Sequence, residues 1–417
     1  MKKYIHLLSI FIFMIIQQAS SQTYVSGGIY SNTTWTLANS PYITNNIVVF
    51  PNVTLTIEPG VHIEATGGIE VRQATIIAEG TTSDSIIFNA NSSSFPLLNL
   101  NEAHSSKISF CSFQNASLIG LKIKMYSPAD SLVVRHSAFL NNFRGTTYFD
   151  GNARIDSCHY ENNSSGIVQC YIPVSNTLFK NNAIGIEVAH NSTILNCSFD
   201  SNSVAGIQLT YNNEIKNCHF TYNHIGIESQ SQGAGSVIQF NTFENNNIGV
   251  KLEDEYPVNT ISCNTICNNT VSFTTTRSYN SNVSYNYWCT ADSAAVAASI
   301  YDGYDDVSMG LISFMPIDTL NCAAMTTGFG TITGSDPSYS IYPNPFSRQA
   351  DLYFSNPQNG KAEMAIYDSS GKSVLIIRDI SLGHISIERS GLAAGLYFFQ
   401  LRKPNTELIT GKFIISD

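Results

Sequence analysis

Glu187 and Glu228 occupy matching places in "GIEV" at 185–188 and "GIES" at 226–229, with a further copy, "GIQL" at 206–209, between them. Copies stacked as neighbouring rungs set the two carboxylates two rungs apart, roughly 10 Å between backbones. Inverting glycosidases hold their acid and base about 6.5–9.5 Å apart, leaving room for a water. Unrelated outward residues on any stacked repeat give the same separation, so the spacing alone does not favour catalysis over a solvated or ligand-contacting face. The aligned position reads Lys122, Thr147, Val168, Glu187, Gln208, Glu228 and Lys251. Next to it lie the longest corner stretches, "SQSQGAGS" at 229–236 and "EDEYPVNT" at 253–260. Loops on a rigid scaffold usually carry binding. The candidate glycan contacts are therefore Glu187, Gln208, Glu228, Lys251, Glu253, Asp254 and Tyr256. The Tyr256 ring suits stacking on a sugar, and the acidic "EDEY" corner could hold calcium weakly.

Other chemistry finds little support. His136, His159, His190, His219 and His224 fall at several different positions of the repeat. His159 and His219 share a position but lie three copies apart, and no Ser-His-Asp arrangement emerges. "DGYDD" at 302–306 lacks the spacing of a full calcium-binding loop. The nine Cys include no pair spaced with His as a zinc knuckle. No metal is expected, and no cofactor beyond the possible calcium. A net charge of −10 with 12 % charged residues disfavours nucleic acid, which demands a basic surface.

These residues must be positioned by the repeat itself. Its anchors are Phe113, Phe139, Tyr160, Phe179, Phe199, Phe220, Phe243, Ile266 and Trp288, mostly a little over twenty residues apart. Two positions before each sits a small or polar residue: Cys111, Ser137, Cys158, Thr177, Cys197, Cys218, Asn241, Asn264 and Asn286. The four Cys in that column read as packed thiols. Cys267 and Cys289 each follow an anchor on neighbouring copies, about 4.8 Å apart, which is within disulfide reach. Cys170, Cys263 and Cys322 have no assigned role. Three positions after the anchors come Asn142, Asn163, Asn182, Asn202, Asn223, Asn246 and Asn269, and then, at Gly166, Gly185, Gly206, Gly226 and Gly249, a Gly followed by Ile or Val. Apolar residues alternate with period two, as in Ile207 and Leu209 around Gln208. Asn and Gly supply the left-handed corners between short strands. Such units cannot bury their apolar sides alone but can in a parallel stack. The pattern predicts an all-β chain: a right-handed parallel β-helix with a ladder of Asn amides, followed by a small antiparallel β-sandwich.

The expected organisation is a signal peptide over 1–21, the β-helix over 22–322, a linker over 323–338 and a final domain over 339–417. Lys2 and Lys3, the apolar run Tyr4 to Ile16, and the small residues Ala19 and Ser21 make up the signal peptide. No later segment is apolar enough to span a bilayer. "TWTLANSPYITNNIVVFPNVTLTIEPGVHIEA", with its "LTIEPG" turn, and "NYWCTADSAAVAASIYDGYDDVSMGLISFMPI" resemble the opening and closing segments of secreted bacterial β-helix proteins of the pectate-lyase-like superfamily. Ala291 to Ile300 is a candidate capping helix. "YPNPF", "YDSSGK", "GLAAGLYFFQL" and "ITGKFIISD" together resemble the type A C-terminal sorting domain of type IX (Por) secretion. The residues that carry this resemblance are Tyr342, Pro343, Asn344, Pro345, Gly371, Gly395, Gly411 and Lys412. The resemblance implies a Bacteroidetes-type host, Sec export and then passage to the medium or outer cell surface. The partners it implies are the secretion machinery and its sorting protease.

Two functions stay open. One is a secreted or surface protein that binds glycans or forms adhesive structure. The other is a polysaccharide lyase or glycoside hydrolase. The calcium-bound acidic cluster with its Arg or Lys base, and the Asp pair with Gly-His-Gly and Arg-x-Lys, are both missing as ordered motifs. That weighs toward the non-enzymatic reading, with polysaccharide as the remaining candidate partner.

Overall fold

A computed structural model of the chain describes residues 22–91, 95–124, 131–150, 152–230, 235–253, 259–318, 339–342, 344–354, 361–368, 372–380, 384–402 and 408–416. The 1–21 segment, the 323–338 linker, Cys322, Asp254, Tyr256, Pro343 and Gly371 lie outside them. The chain divides into two compact units, Met1–Gly328 and Phe329–Asp417.

The first unit is a parallel β-helix. One coil shows how its sequence folds. The strand Thr193–Leu195 runs into Asn196, whose φ is +54°. Ser198–Asp200 carries the anchor Phe199 and ends at Ser201, with φ +57°. Asn202 turns inward, and Ala205–Leu209 leads to a corner of variable length before Glu214–Lys216 opens the next coil. Each strand pairs in parallel with its counterpart one coil on, so Phe199 faces Phe220 and Ile207 faces Ile227. The first strands of the coils form an 11-stranded sheet, and the other two per coil join a 23-stranded one. Two or three corners per coil hold non-glycine residues at positive φ. Asn is the commonest of them because its short amide tolerates that conformation.

Side chains repeat because each inward residue packs on its own counterpart. Phe88, Phe113, Phe139, Tyr160, Phe179, Phe199, Phe220 and Phe243 form one continuous offset stack, with centroids 4.5–5.0 Å apart and planes within 3–12°. The glycine column follows from the close approach of the next rung's backbone, with the rings packed beside it. A Cβ on Gly185 would lie 2.5 Å from the Gly206 carbonyl oxygen and 2.9 Å from the Phe199 ring.

Buried amides follow the same logic. Asn142, Asn163, Asn182, Asn202, Asn223 and Asn246 are all nearly inaccessible, and Asn269 continues their row. The Asn202 Oδ1 accepts from the backbone and side-chain nitrogens of Asn182, at 3.1 and 3.2 Å. Its Nδ2 donates to Phe179 O and to Asn223 Oδ1, at 3.1 and 2.8 Å. Asn241, Asn264 and Asn286 make a second row at the corner before the anchors. Ser192, Asn213, Ser236 and Asn259 make a third at the variable corner, which the repeat pattern had not indicated.

The last coil is closed by a helix, Ser293–Ala297, within the expected Ala291–Ile300. Asp292 caps it by accepting from Ala294 N at 3.0 Å. Asp302 of "DGYDD" is buried there, accepting from Tyr304 N and Ile312 N.

The second unit has two antiparallel sheets. Tyr339–Tyr342, Gln349–Phe354 and His384–Glu388 form one. Ser373–Ile380, Ala362–Tyr367, Gly395–Arg402 and Leu408–Ile415 form the other. Residues of both share one core, including Leu352, Ile387, Met364, Phe399 and Phe413.

Candidate functional site

Strand pairing sets the expected column rung by rung: Val48, Glu70, Asn99, Lys122, Thr147, Val168 and Glu187, of which Thr147 and Val168 are buried rather than outward-facing. It resumes as Gln208, Glu228, Lys251, Thr274 and Tyr301. A β-bulge interrupts it. Ile186 pairs with Ile207 and Ala189 with Leu209, so Glu187 and Val188 together oppose Gln208 alone. Val188 has φ +58°, a strained backbone for a β-branched residue.

The two carboxylates fall in different clusters. Glu187 accepts from Ser165 Oγ in the preceding coil, at 2.6 Å. Glu228 belongs to another cluster: Gln208 Nε2 donates to its Oε2 at 2.7 Å, and Lys251 Nζ lies 3.2 Å from its Oε1. Lys251 also contacts Glu253. Burial works against the Lys251 charge, but the hydrogen bonds to Glu253 and Glu228 outweigh it and raise the ammonium above its ordinary value. The Glu228 side chain is only 11 % exposed, and both its oxygens are engaged. A general acid or base needs a free, reachable oxygen, so this geometry suits a fixed polar surface better than proton transfer. Gln208, Glu228, Lys251 and Glu253 are brought together, Glu187 stands apart with Ser165, and Asp254 and Tyr256 lie outside the described residues.

Aromatic residues that the repeat did not single out flank this column. Tyr171 and His190 each directly follow the inward residue that ends the column strand, Cys170 and Ala189. The rings of Tyr171 and His190 lie 5.0 Å apart, edge to face, and Tyr211 packs against His190 from the next corner, also edge to face. Tyr171 and Tyr211 remain 39 % and 37 % exposed. Burial lowers the His190 pKa, and its Nδ1 lies 3.3 Å from Thr210 Oγ1. Coil alignment carried one residue past each strand would have found Tyr171 and His190. The later corners differ in length, which hides Tyr211.

The buried cysteines are not poised for chemistry. Cys111, Cys158, Cys170, Cys197 and Cys218 are buried. Burial pushes Cys158 up to about 12 and Cys170 up to about 11, and raises Cys111 and Cys197 as well. Cys267 and Cys289 are joined in a disulfide with Cα atoms 5.7 Å apart. Among the described residues no group of three His, Cys, Asp or Glu is arranged to hold a metal ion, and no helix is long and apolar enough to cross a membrane.

In the second unit the "YPNPF" segment is tied to the last strand. Asn344 Oδ1 accepts from Ile414 N at 2.8 Å, Phe346 N donates to Ile414 O at 3.0 Å, and Ser416 N donates to Phe346 O at 2.8 Å. Gly395, Gly411 and Lys412 lie on the two strands of the final hairpin, where Lys412 pairs with Phe398 and Gly411 with Phe399.

No curated protein matches the chain significantly. Residues 169–307 match the family described as the right handed beta helix region, and residues 340–416 match the secretion system C-terminal sorting domain. The chain therefore carries a right-handed β-helix region followed by a C-terminal Por sorting domain of type IX secretion, which implies dealings with that machinery and a destination outside the cell or on its surface.

Proposed function

We propose that the secreted β-helix binds a glycan along the outward column from Glu187 to Lys251. The observation that carries the reading is the fixed Gln208–Glu228–Lys251–Glu253 network beside the exposed Tyr171 and Tyr211 rings. Sugars ask for this combination: hydroxyls pair with the more exposed Lys251 and Glu253 head groups, which Glu228 holds in place, and the C–H face of a pyranose packs on an aromatic ring. Both ends of the polar network are already bonded within the protein, so little ordering cost remains to be met on binding. The shielded Glu228 carboxylate favours binding over bond cleavage. The test is retention on a panel of immobilised plant, algal and bacterial polysaccharides, with and without calcium, beside an assay for released reducing ends. Retention of at least one polysaccharide, weakened about tenfold by Glu228→Ala or Tyr211→Ala, supports the proposal. No retention on any polysaccharide, or retention unchanged in both variants, overturns it. Release of reducing ends that is lost in Glu228→Gln would replace it with the hydrolytic reading.

A further inference from the structure

The first rung of the β-helix leaves a backbone edge open. Thr23–Ile29 pairs in parallel with Tyr42–Val49 on one side, and among the described residues no strand pairs with its other side. Thr23 N donates to Pro41 O, and Ile29 O accepts from Phe50 N. Main-chain groups alternate in direction along a strand, so those of Thr23, Val25, Gly27 and Ile29 face the next rung. The N–H and C=O groups of Tyr24, Ser26 and Gly28 point away from it, along the open edge. A register shift between Ser26 and Gly27 is absorbed by Gly27, at φ +85°, and by the extra residue Asn46 of the neighbouring strand. Ile29 keeps the alternation beyond it.

Open edges are usually blunted by charge, by proline or by a covering element. This strand holds neither a charged residue nor a proline. The strands beneath it, Tyr42–Val49 and Thr54–Ile57, are uncharged as well, in a chain whose net charge is −10. From this edge we infer that a second copy of the chain pairs with it, antiparallel, across a two-fold axis at Ser26. Charge argues for a copy as the occupant. Two acidic molecules repel where their charged faces meet, and this uncharged end is where they can approach.

Register argues for it too. With Ser26 opposite the partner's Ser26, Tyr24 lies opposite the partner's Gly28, and every outward N–H and C=O of the edge meets its complement. Tyr24 is 75 % exposed, and a glycine across from it leaves room for the ring. Tyr30, 73 % exposed, packs over Gly28, its ring 2.5 Å from where a Cβ would stand. The Tyr24 ring therefore meets the partner's Tyr30, and aromatic pairing across a glycine adds to the backbone bonds. A two-fold pairing uses up both edges, so association stops at two copies.

Analytical ultracentrifugation of the chain from Gln22 to Asp417, over a range of concentrations, tests the pairing. The expected result is a monomer–dimer equilibrium with nothing larger. Ser26→Lys sets two ammonium groups opposite each other at the axis, where like charges repel, and should weaken the dimer at least about tenfold. Ser26 is exposed, and an unchanged circular dichroism spectrum verifies that the variant folds. Ser26→Cys reads the register. Opposed residues of a bonded antiparallel pair have Cα atoms about 5.5 Å apart, within disulfide reach. Oxidised glutathione should therefore join the two introduced thiols, as peptide mapping would show. A dimer that Ser26→Lys leaves unchanged, or introduced thiols that stay unlinked while the dimer persists, overturns the pairing. A chain that stays monomeric at every concentration overturns it as well, and leaves the edge to a strand of a different protein.

Discussion

Asn202 carries more of the architecture than its polar side chain suggests. It is fully buried, and its amide serves two coils at once. Leucine in its place leaves the Asn182 backbone nitrogen, the Phe179 carbonyl and the Asn223 amide oxygen short of partners. We expect Asn202→Leu to cost roughly 1–3 kcal/mol, measured by urea denaturation; an unchanged midpoint would contradict the ladder. Gly185→Ala fails for a different reason. The obstructing atom is a backbone oxygen at 2.5 Å, itself held in the next rung. Overpacking of this kind costs roughly 1–3 kcal/mol. The buried thiols give a third expectation. With Cys158 at about 12 and Cys170 at about 11, little thiolate exists at pH 8. Native-state alkylation followed by mass spectrometry should leave both unmodified, and labelling at native rates would contradict their burial.

Stacked strands test how far one rung's choice binds its neighbours. Tyr160 is the single hydroxylated ring in the run from Phe88 to Phe243, and its Oη meets Thr146 Oγ1 of the preceding coil at 2.8 Å. The equivalent partner of Phe199 is Ile186, because Thr146, Ile167, Ile186 and Ile207 share one inward column. Phe199→Tyr alone buries an unpaired hydroxyl and should destabilise. Adding Ile186→Thr should recover part of the loss, with a coupling of about 0.5–3 kcal/mol by double-mutant cycle; strict additivity would argue against the shared column. The same reciprocity explains what could be read in advance. Phe, Gly and Asn columns are legible because each residue's main neighbour is its own copy, so geometry imposes the same type again and again. The candidate site was only half legible. Gln208, Glu228 and Lys251 fall on regular strands and follow from spacing. The bulge at Glu187 and Val188, the Tyr171–His190–Tyr211 cluster and the Ser192–Asn213 row sit at corners whose lengths change from coil to coil, where counting loses register.

At the scale of the whole chain, the β-helix presents a surface and the sorting domain decides where that surface is displayed. The last strand, Leu408–Ile415, pairs along its length with Gly395–Arg402 and contributes Ile409, Phe413 and Ile415 to the core. It also holds the "YPNPF" segment through Ile414 and Ser416, and Ser416 O accepts from Arg389 Nη1 at 3.1 Å. Ending the chain after Leu408 therefore removes three buried apolar side chains, uncovers the edge of Gly395–Arg402 and releases the motif at the start of the domain. The β-helix has a separate core, so it should survive this truncation. In a host with type IX secretion the truncated protein should accumulate, folded, in the periplasm. The full chain should appear in the medium or on the surface without roughly its last eighty residues, cut within the linker that joins the two units. Fractionation with antibodies against each unit reads both outcomes. Equal delivery of the truncated and full chains would show that the final domain does not direct export, and the β-helix would then have to carry its own address.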